Sequence, residues 1–113
     1  MIRKTHSTRE GYVRIIFELP ACLWADQIYV VGQFNNWDKR SLPMAQDRNG
    51  TWYLALELPE GERFEFRYLV DGRWLTDNHA DAIVDNTFGS QNSVIHAQLS
   101  CDLYRIPVEE PLR

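Results

Sequence analysis

The amino-acid sequence predicts an all-β protein with an immunoglobulin-like fold, an antiparallel β-sandwich of about seven short strands. The first supporting observation is that apolar and polar residues alternate along most of the chain, whereas no long segment repeats with the period of a helix. The second is that turn-forming residues recur about every 8–12 positions, as they do in small sandwiches. The third is an aromatic content of 12%, which favours β-structure and suits flat-faced ligands.

Several segments carry the strand pattern, and turn signals separate most of them. They are residues 12–19, 27–34, 51–58, 63–70, 73–75 and 92–99. Pro20 ends the first segment, and the second is apolar on both faces, as a central strand would be. Asn49-Gly50 leads into the third segment, and Asp71-Gly72 closes a hairpin between the fourth and the fifth. The aromatic residues that this alternation turns inward, and which we expect in the core, are Trp52, Phe64, Phe66 and Tyr68.

The length of 113 residues is enough for one domain with a sizeable hydrophobic core. Residues 1–10 are polar, and we expect them to form a flexible N-terminal segment. Residues 11–100 would form the sandwich domain. Residues 101–113, which contain Pro107 and Pro111, would form an irregular C-terminal tail.

The composition also excludes several classes of partner. The net charge of −4 argues against nucleic acid, because phosphate binding needs a concentrated cationic face. No apolar run is long enough to span a membrane, and the polar N-terminus does not fit a signal peptide, so we expect a cytoplasmic protein that binds no membrane. Cys22 and Cys101 are interpreted as buried small residues or incidental thiols, with a disulfide between them as the alternative.

The residues capable of catalysis or metal binding form no familiar pattern. His6, His79 and His96 share no ligand spacing with one another or with a cysteine, so we expect no metal and no cofactor. Three aspartates recur every four residues around His79, but without the glycine and final glutamate of a calcium loop they predict a solvated loop. These aspartates are Asp77, Asp81 and Asp85. Nucleophile and phosphate-binding motifs are also missing from the sequence, so we expect no enzymatic activity, with a small hydrolase as the alternative.

The hairpin register predicts where one tryptophan lies. A two-residue turn at Asp71-Gly72 pairs Leu69 with Trp74, and paired residues share a face of the sheet. Trp74 would therefore lie on the outer face, with Arg67 as a diagonal neighbour within side-chain reach. The alternative is that the indole only covers Leu69.

The other two tryptophans outside the predicted core lie in connections. Trp37 follows a strand among turn-forming residues, and it is either folded back as a plug or displayed to a ligand. Trp24 is interpreted as packing. Exposed indoles near Arg and Asn side chains suit a sugar, whose apolar face stacks on an aromatic ring and whose hydroxyls need fixed donors and acceptors.

Four motifs in order support this interpretation by resemblance. They are residues 30–37 (VVGQFNNW), 58–62 (LPEGE), 68–74 (YLVDGRW) and 88–92 (FGSQN). From about residue 13 to residue 95 the chain resembles carbohydrate-binding module family 48. That family includes the glycogen-binding domain of the AMP-activated protein kinase β subunit and the early-set domain of isoamylases and branching enzymes.

The resemblance implies a set of sugar-binding residues. Trp37 and Trp74 stand where the family's two stacking tryptophans lie, and Arg67 stands where the kinase-type module has a lysine. In the late loop, Phe88 and Ser90 stand where the family has a leucine and a threonine, and Asn92 matches the family's asparagine. The sequence departs from the family at Asp77-Asn78, where many members have Asp-Pro.

We therefore expect a non-catalytic module that binds α-1,4-linked glucan, such as glycogen, starch or a maltooligosaccharide. The length leaves no room for a catalytic barrel or a kinase-docking segment, so we expect a stand-alone module that assists a glycogen-metabolism enzyme in trans. The alternative is a protein-interaction module of the same fold that has lost sugar binding and assists such an enzyme or a kinase.

Overall fold

The computed structural model describes residues 2–99, which form two antiparallel sheets facing each other across one core. The first sheet has the strand order β1 (Ile2–His6), β2 (Tyr12–Leu19), β5 (Trp52–Pro59) and β4 (Ala45–Gln46). The second has the order β3 (Ile28–Gly32), β6 (Arg63–Val70), β9 (Gln91–His96) and β8 (Ala82–Asp85), and β7 (Arg73–Leu75) also pairs with β6. The predicted all-β sandwich is confirmed.

The core is built from the alternating apolar residues of both sheets. On β2, Val13, Ile15 and Phe17 are almost fully buried, while the residues between them face outward. Phe17 meets Phe66 of the second sheet edge to face, with ring centroids 5.2 Å apart. Truncating an aromatic residue at this position would cost about 3–5 kcal/mol of stability, as for other buried aromatic residues. The four aromatic residues predicted for the core all belong to the core cluster or pack against it.

The N-terminal residues differ from expectation. Residues 1–10 were expected to be flexible, but β1 pairs with β2 over its whole length, from Ile2 opposite Phe17 to His6 opposite Val13. Contacts that the local sequence does not reveal help to hold this strand. The free edge of β2 offers unpaired backbone groups, and Lys4 Nζ lies 2.7 Å from a carboxylate oxygen of Asp81.

The other differences concern short elements and the two cysteines. The described residues contain nine strands rather than about seven, because β1 and the short strands β4 and β8 add to those expected. The strand expected to run to residue 34 stops at Gly32, where a 3-10 helix (Gln33–Asn35) begins. Cys22 is exposed rather than buried, whereas Cys101 and the predicted tail at 101–113 lie outside the described residues.

Strand β6 organises the second sheet. One edge of β6 pairs with β3, and the other edge pairs with β9 along residues 63–66 and with β7 along residues 68–70. Two strands therefore lie end to end beside β6, and the outward side chains of all three share one surface.

In the part of the chain that the structure describes, no helix is long and apolar enough to cross a bilayer.

Candidate functional site

A groove of about 990 Å³ lies on the outer face of the second sheet. The residues that line it include all six predicted for the site, which are Trp37, Arg67, Trp74, Phe88, Ser90 and Asn92. They come from β6, β7, β9 and two loops, so the fold brings together residues that are up to 55 positions apart in the sequence (92 − 37 = 55). The lining residues that were not predicted for a sugar site are Gln33, Lys39, Glu65, Asp85, Asn86 and Thr87.

Trp74 is placed by the β6–β7 hairpin, whose predicted register is confirmed. Leu69 lies opposite Trp74, and the turn residues Asp71 and Gly72 have φ values of 49° and 85°. Two left-handed residues in a two-residue loop are typical of a type I′ turn, whose twist matches that of the flanking strands. The indole is 40% exposed, so it is available to a ligand and does more than cover Leu69.

Trp37 is displayed by a strained loop after the 3-10 helix. Asn36 and Trp37 have φ values of 57° and 59°, and a left-handed conformation is rare for so bulky a residue as tryptophan. Backbone bonds hold it there, since the Trp37 N–H donates to Gly32 O at 2.8 Å. The Asn35 side chain accepts from the Gly32 N–H and donates to Ser41 Oγ, which closes the loop. Trp37 is 38% exposed, which favours display over a buried plug.

Arg67 supports Trp74 from the neighbouring strand. Its guanidinium carbon lies 5.1 Å from the centroid of the Trp74 ring, a cation–π contact, and its Nη2 donates to Ser90 Oγ at 3.2 Å. Burial lowers the pKa of Arg67, although an arginine remains cationic at neutral pH. Its Nε is buried and has no hydrogen-bond partner among the described residues. The guanidinium is thus fixed before any ligand binds.

Lys39 adds a second cation to the same indole. Its Nζ lies 5.8 Å from the Trp74 ring centroid. Lys39 belongs to the loop that carries Trp37, so this contact links that loop to strand β7, which carries Trp74. The sequence does place Lys39 two residues after Trp37, which could have marked it as a neighbour of the site. The hairpin register, however, does not reveal that this loop reaches Trp74.

The 86–90 loop forms another wall of the groove. Asn86 Oδ1 accepts from the Phe88 N–H at 2.9 Å and from the Ser90 N–H at 3.1 Å, which folds the loop around the asparagine side chain. Gly89, with φ of 80°, completes the turn. The Phe88 ring is 90% exposed at the tip, and Ser90 Oγ keeps its hydroxyl proton for another acceptor because Arg67 donates to it.

Asn92 lies deeper than its neighbours in the groove. It is 7% exposed, its Nδ2 donates to Glu65 Oε1 at 3.0 Å, and its Oδ1 accepts from Asn86 Nδ2 at 3.1 Å. Glu65 also contacts Arg63, with Nη1 and Oε2 3.4 Å apart. Alternation placed Asn92 on the correct strand, but its partners come from β6 and from the late loop, and spacing does not predict them.

Two expectations outside the groove are wrong. Trp24 does not pack, because Leu23 and Ala25 on either side contact the core and leave the indole 92% exposed. Asp77 is not part of a solvated loop, because it is 5% exposed and accepts a hydrogen bond from the Tyr68 hydroxyl at 2.8 Å. In the 2–99 region, no three His, Cys, Asp or Glu side chains come together in a way that could hold a metal.

The groove combines flat apolar faces with fixed hydrogen-bonding groups. Two half-exposed indoles and an exposed phenylalanine supply the faces. Arginine, lysine, serine and glutamine side chains supply donors and acceptors around them. Such a surface suits a polyhydroxylated ligand whose rings have one apolar face.

Comparisons with known proteins point to the same chemistry. Residues 22–103 match the family model described as the glycogen recognition site of AMP-activated protein kinase. The 5′-AMP-activated protein kinase subunit beta-1 of Sus scrofa is 36% identical over 72 residues, which cover 64% of this chain and 55% of that protein. The Homo sapiens subunit beta-1 is also 36% identical over 72 residues, but these cover 25% of its length.

A second group of relatives consists of enzymes. The 1,4-alpha-glucan branching enzyme of Synechococcus sp. (strain WH7803) is 37% identical over 65 residues, which cover 54% of this chain and 8% of that enzyme. This chain therefore matches about half or less of the length of each of these relatives.

Proposed function

Since the chain belongs to the family of the AMP-activated protein kinase glycogen recognition site, a carbohydrate-binding family, we propose that its ligand is an α-1,4-linked glucan. Glycogen, starch and maltooligosaccharides all present the apolar sugar faces and hydroxyl edges that the groove would contact. The binding residues would be the six predicted ones, with Trp37 and Trp74 as the stacking platforms.

The observation that carries the proposal is the Trp74–Arg67–Ser90 arrangement. The Arg67 guanidinium contacts the indole and donates to Ser90 Oγ, so an aromatic face and a hydroxyl donor are held in fixed relation before binding. Preorganised groups lose little side-chain entropy when a ligand arrives. Trp37 and Phe88 would add two further apolar contacts along the same groove.

The affinity should be modest. Each aromatic stack is worth about 0.5–1.5 kcal/mol beyond the area it buries, and the groove is open to solvent. We expect a dissociation constant between about micromolar and millimolar for a short oligosaccharide. Binding at this strength suits a module that holds a protein on a polymer with many repeated sites.

No catalysis is part of the proposal. Both carboxylate oxygens of Glu65 are engaged by Asn92 and Arg63, which disfavours a role as a proton donor. Asp85 is exposed and accepts a hydrogen bond from Gln91 at 3.4 Å. We propose that any chemistry belongs to a glycogen-metabolism enzyme acting in the cytoplasm, which this module would bring to its substrate.

The test is titration with maltoheptaose and with β-cyclodextrin, followed by calorimetry and tryptophan fluorescence. Trp74→Ala and Trp37→Ala should each weaken binding by about tenfold, the scale of one lost aromatic stack. Trp24→Ala is the matched control, since this indole is exposed but does not line the groove. No binding at millimolar sugar, or equal effects of all three substitutions, would contradict the proposal.

The second candidate function is protein interaction, favoured by the 92% exposure of Trp24 outside the groove. A protein-interaction module of this fold would bind no sugar, and a partner protein would co-purify with it from a lysate. Retention on amylose resin that is lost with Trp74→Ala supports the first function. No retention on amylose, together with partner capture that depends on an exposed tryptophan, supports the second.

A further inference from the structure

Gln33 lines the groove although the sequence did not predict it for the sugar site. It is exposed, and it is the first residue of the 3-10 helix that leads to Trp37. Its side-chain oxygen Oε1 accepts a hydrogen bond from the backbone N–H of Glu65 at 2.8 Å. The side chain thus reaches from the segment before Trp37 to β6, the strand that carries Arg67.

This hydrogen bond continues the sheet beyond the end of β3. The ladder between β3 and β6 ends with Gly32 opposite Phe66, and the next residues on the two strands are Gln33 and Glu65. The chain turns into the 3-10 helix at that point, so Gln33 Oε1 takes the place of the carbonyl that a longer β3 would offer. A backbone N–H can only donate, which means that the engaged end of the amide is its oxygen.

The nitrogen end of the same amide is unused. Nε2 of Gln33 makes no hydrogen bond to any residue in the described range 2–99. Because Oε1 and Nε2 are attached to the same carbon, the bond to Glu65 confines Nε2 and its two N–H groups to a small volume at the wall of the groove. A donor that is held in place before the ligand arrives loses little side-chain entropy on binding.

We propose that Gln33 is a ligand contact of the groove and that its Nε2 donates a hydrogen bond to a glucan hydroxyl. The inference deepens the proposed function and rests on it. The polar residues among the six predicted ones lie on β6, on β9 and in the 86–90 loop. Gln33 would add a polar contact at the end of β3, on the side of the groove where Trp37 is displayed.

Two substitutions separate the roles of the two ends of the amide. Gln33→Glu keeps an oxygen for the Glu65 N–H, but at pH 7 it has no proton to donate to a sugar. Gln33→Met keeps the length of the side chain and removes both hydrogen bonds. Gln98→Glu is the matched control, because Gln98 is exposed, does not line the groove and undergoes the same change of charge.

The contact is measured by calorimetry with β-cyclodextrin and with three analogues, which lack the 2-, the 3- or the 6-hydroxyl of every glucose. All sugars of such a ring are alike, so the ligand cannot escape the test by shifting its register. We expect Gln33→Glu and Gln33→Met to weaken β-cyclodextrin binding about fivefold, the scale of one neutral hydrogen bond, and Gln98→Glu to leave it unchanged. Removal of one of the three hydroxyls should weaken binding to wild type about fivefold more than binding to either Gln33 variant, because the variants have already lost that bond.

The possible outcomes distinguish this inference from the proposed function. If each missing hydroxyl weakens binding equally in wild type and in the Gln33 variants, Gln33 touches no sugar hydroxyl and only supports β6. If Gln33→Glu binds β-cyclodextrin as tightly as wild type, the N–H groups contribute nothing. Either result overturns the inference and leaves the proposed function intact. If wild type binds neither β-cyclodextrin nor maltoheptaose at millimolar concentration, the proposed function fails and the inference fails with it.

Discussion

Gly32 has the least space around it of the described glycines. It stands where β3 ends and the segment that leads to Trp37 begins. A Cβ built at this position would lie 2.7 Å from Glu65 O and 2.8 Å from the Phe34 ring. Because the backbone is extended here, the requirement for glycine is one of space and not of φ. Close packing against β6 thus sets the point from which Trp37 is displayed.

We expect Gly32→Ala to reduce the free energy of unfolding by about 1–3 kcal/mol, the range for overpacking in a filled site. Urea denaturation measures the change. Gly61→Ala is the control, since Gly61 has a φ of 89° but no atom within 4 Å of an added Cβ, so its cost of about 1 kcal/mol is conformational only. A smaller loss for Gly32→Ala than for Gly61→Ala would contradict the steric explanation.

A second single-residue feature is the buried hydrogen bond between Tyr68 and Asp77. Burial, and then the neighbouring Asp77 carboxylate, raise the pKa of Tyr68. Burial acts to raise the pKa of Asp77, but hydrogen bonds, including those from Tyr68 and from the His79 N–H, outweigh it and lower that pKa. A carboxyl whose pKa is lower in the folded state stabilises the fold above its unfolded pKa of about 3.9 and loses this contribution as the pH falls further.

Tyr68→Phe should therefore destabilise the protein by about 1.5–3 kcal/mol at pH 7, the range for a hydrogen bond to a charged group. The difference from wild type should shrink as the pH falls below the unfolded pKa of about 3.9 and through the lowered pKa of folded Asp77. Urea denaturation of both proteins at pH 7 and at a pH below about 3.9 tests this. A difference that stays constant with pH would mean that the tyrosine acts through packing alone.

At the scale of the element, the β6–β7 turn joins the site to the rest of the fold. Besides turning the hairpin, Asp71 Oδ1 accepts from the Asp26 and Gln27 N–H groups at 3.0 Å and 2.9 Å. The turn thus anchors the connection between the two sheets and also positions β7, which carries Trp74.

Removing this anchor should affect both stability and binding. We expect Asp71→Ala to cost about 1–3 kcal/mol of stability, since two backbone donors lose their acceptor, and to weaken glucan binding through Trp74. Asp71→Asn keeps an oxygen acceptor and tolerates the left-handed conformation, so it should retain most of both properties. Thermal unfolding and calorimetric titration measure the pair, and equal losses in the two variants would argue against the anchoring role.

Elements with a strong local signal could be predicted from the sequence. The Asp71-Gly72 turn determines the loop length, and loop length determines the register that turns Trp74 outward. The short strands β1, β4 and β8 could not be predicted, because they depend on the free edges of other strands. The burial of Asn92 and the exposure of Trp24 were missed for a similar reason, since alternation predicts a face but not the groups that cover it.

At the scale of the whole molecule, binding should depend weakly on salt. The protein has a net charge of −4, and the proposed contacts with a neutral glucan are stacking and hydrogen bonding. We expect maltoheptaose affinity to change by less than about twofold between roughly 50 and 500 mM NaCl, because screening acts on charge pairs. A maltoheptaose affinity that falls steeply with salt in calorimetry would contradict this expectation.

The end-to-end arrangement of β7 and β9 beside β6 fixes the spacing of the strands that support the two tryptophans of the groove. Trp74 stands on β7, and Trp37 follows the end of β3 on the other side of β6. The supporting strands are thus two spacings apart, or about 10 Å. Hydrogen-bonded ladders do not stretch, so this interval is set before a ligand arrives. We expect the groove to prefer a curved glucan whose sugars match the interval over a straight chain of the same sugars in another linkage.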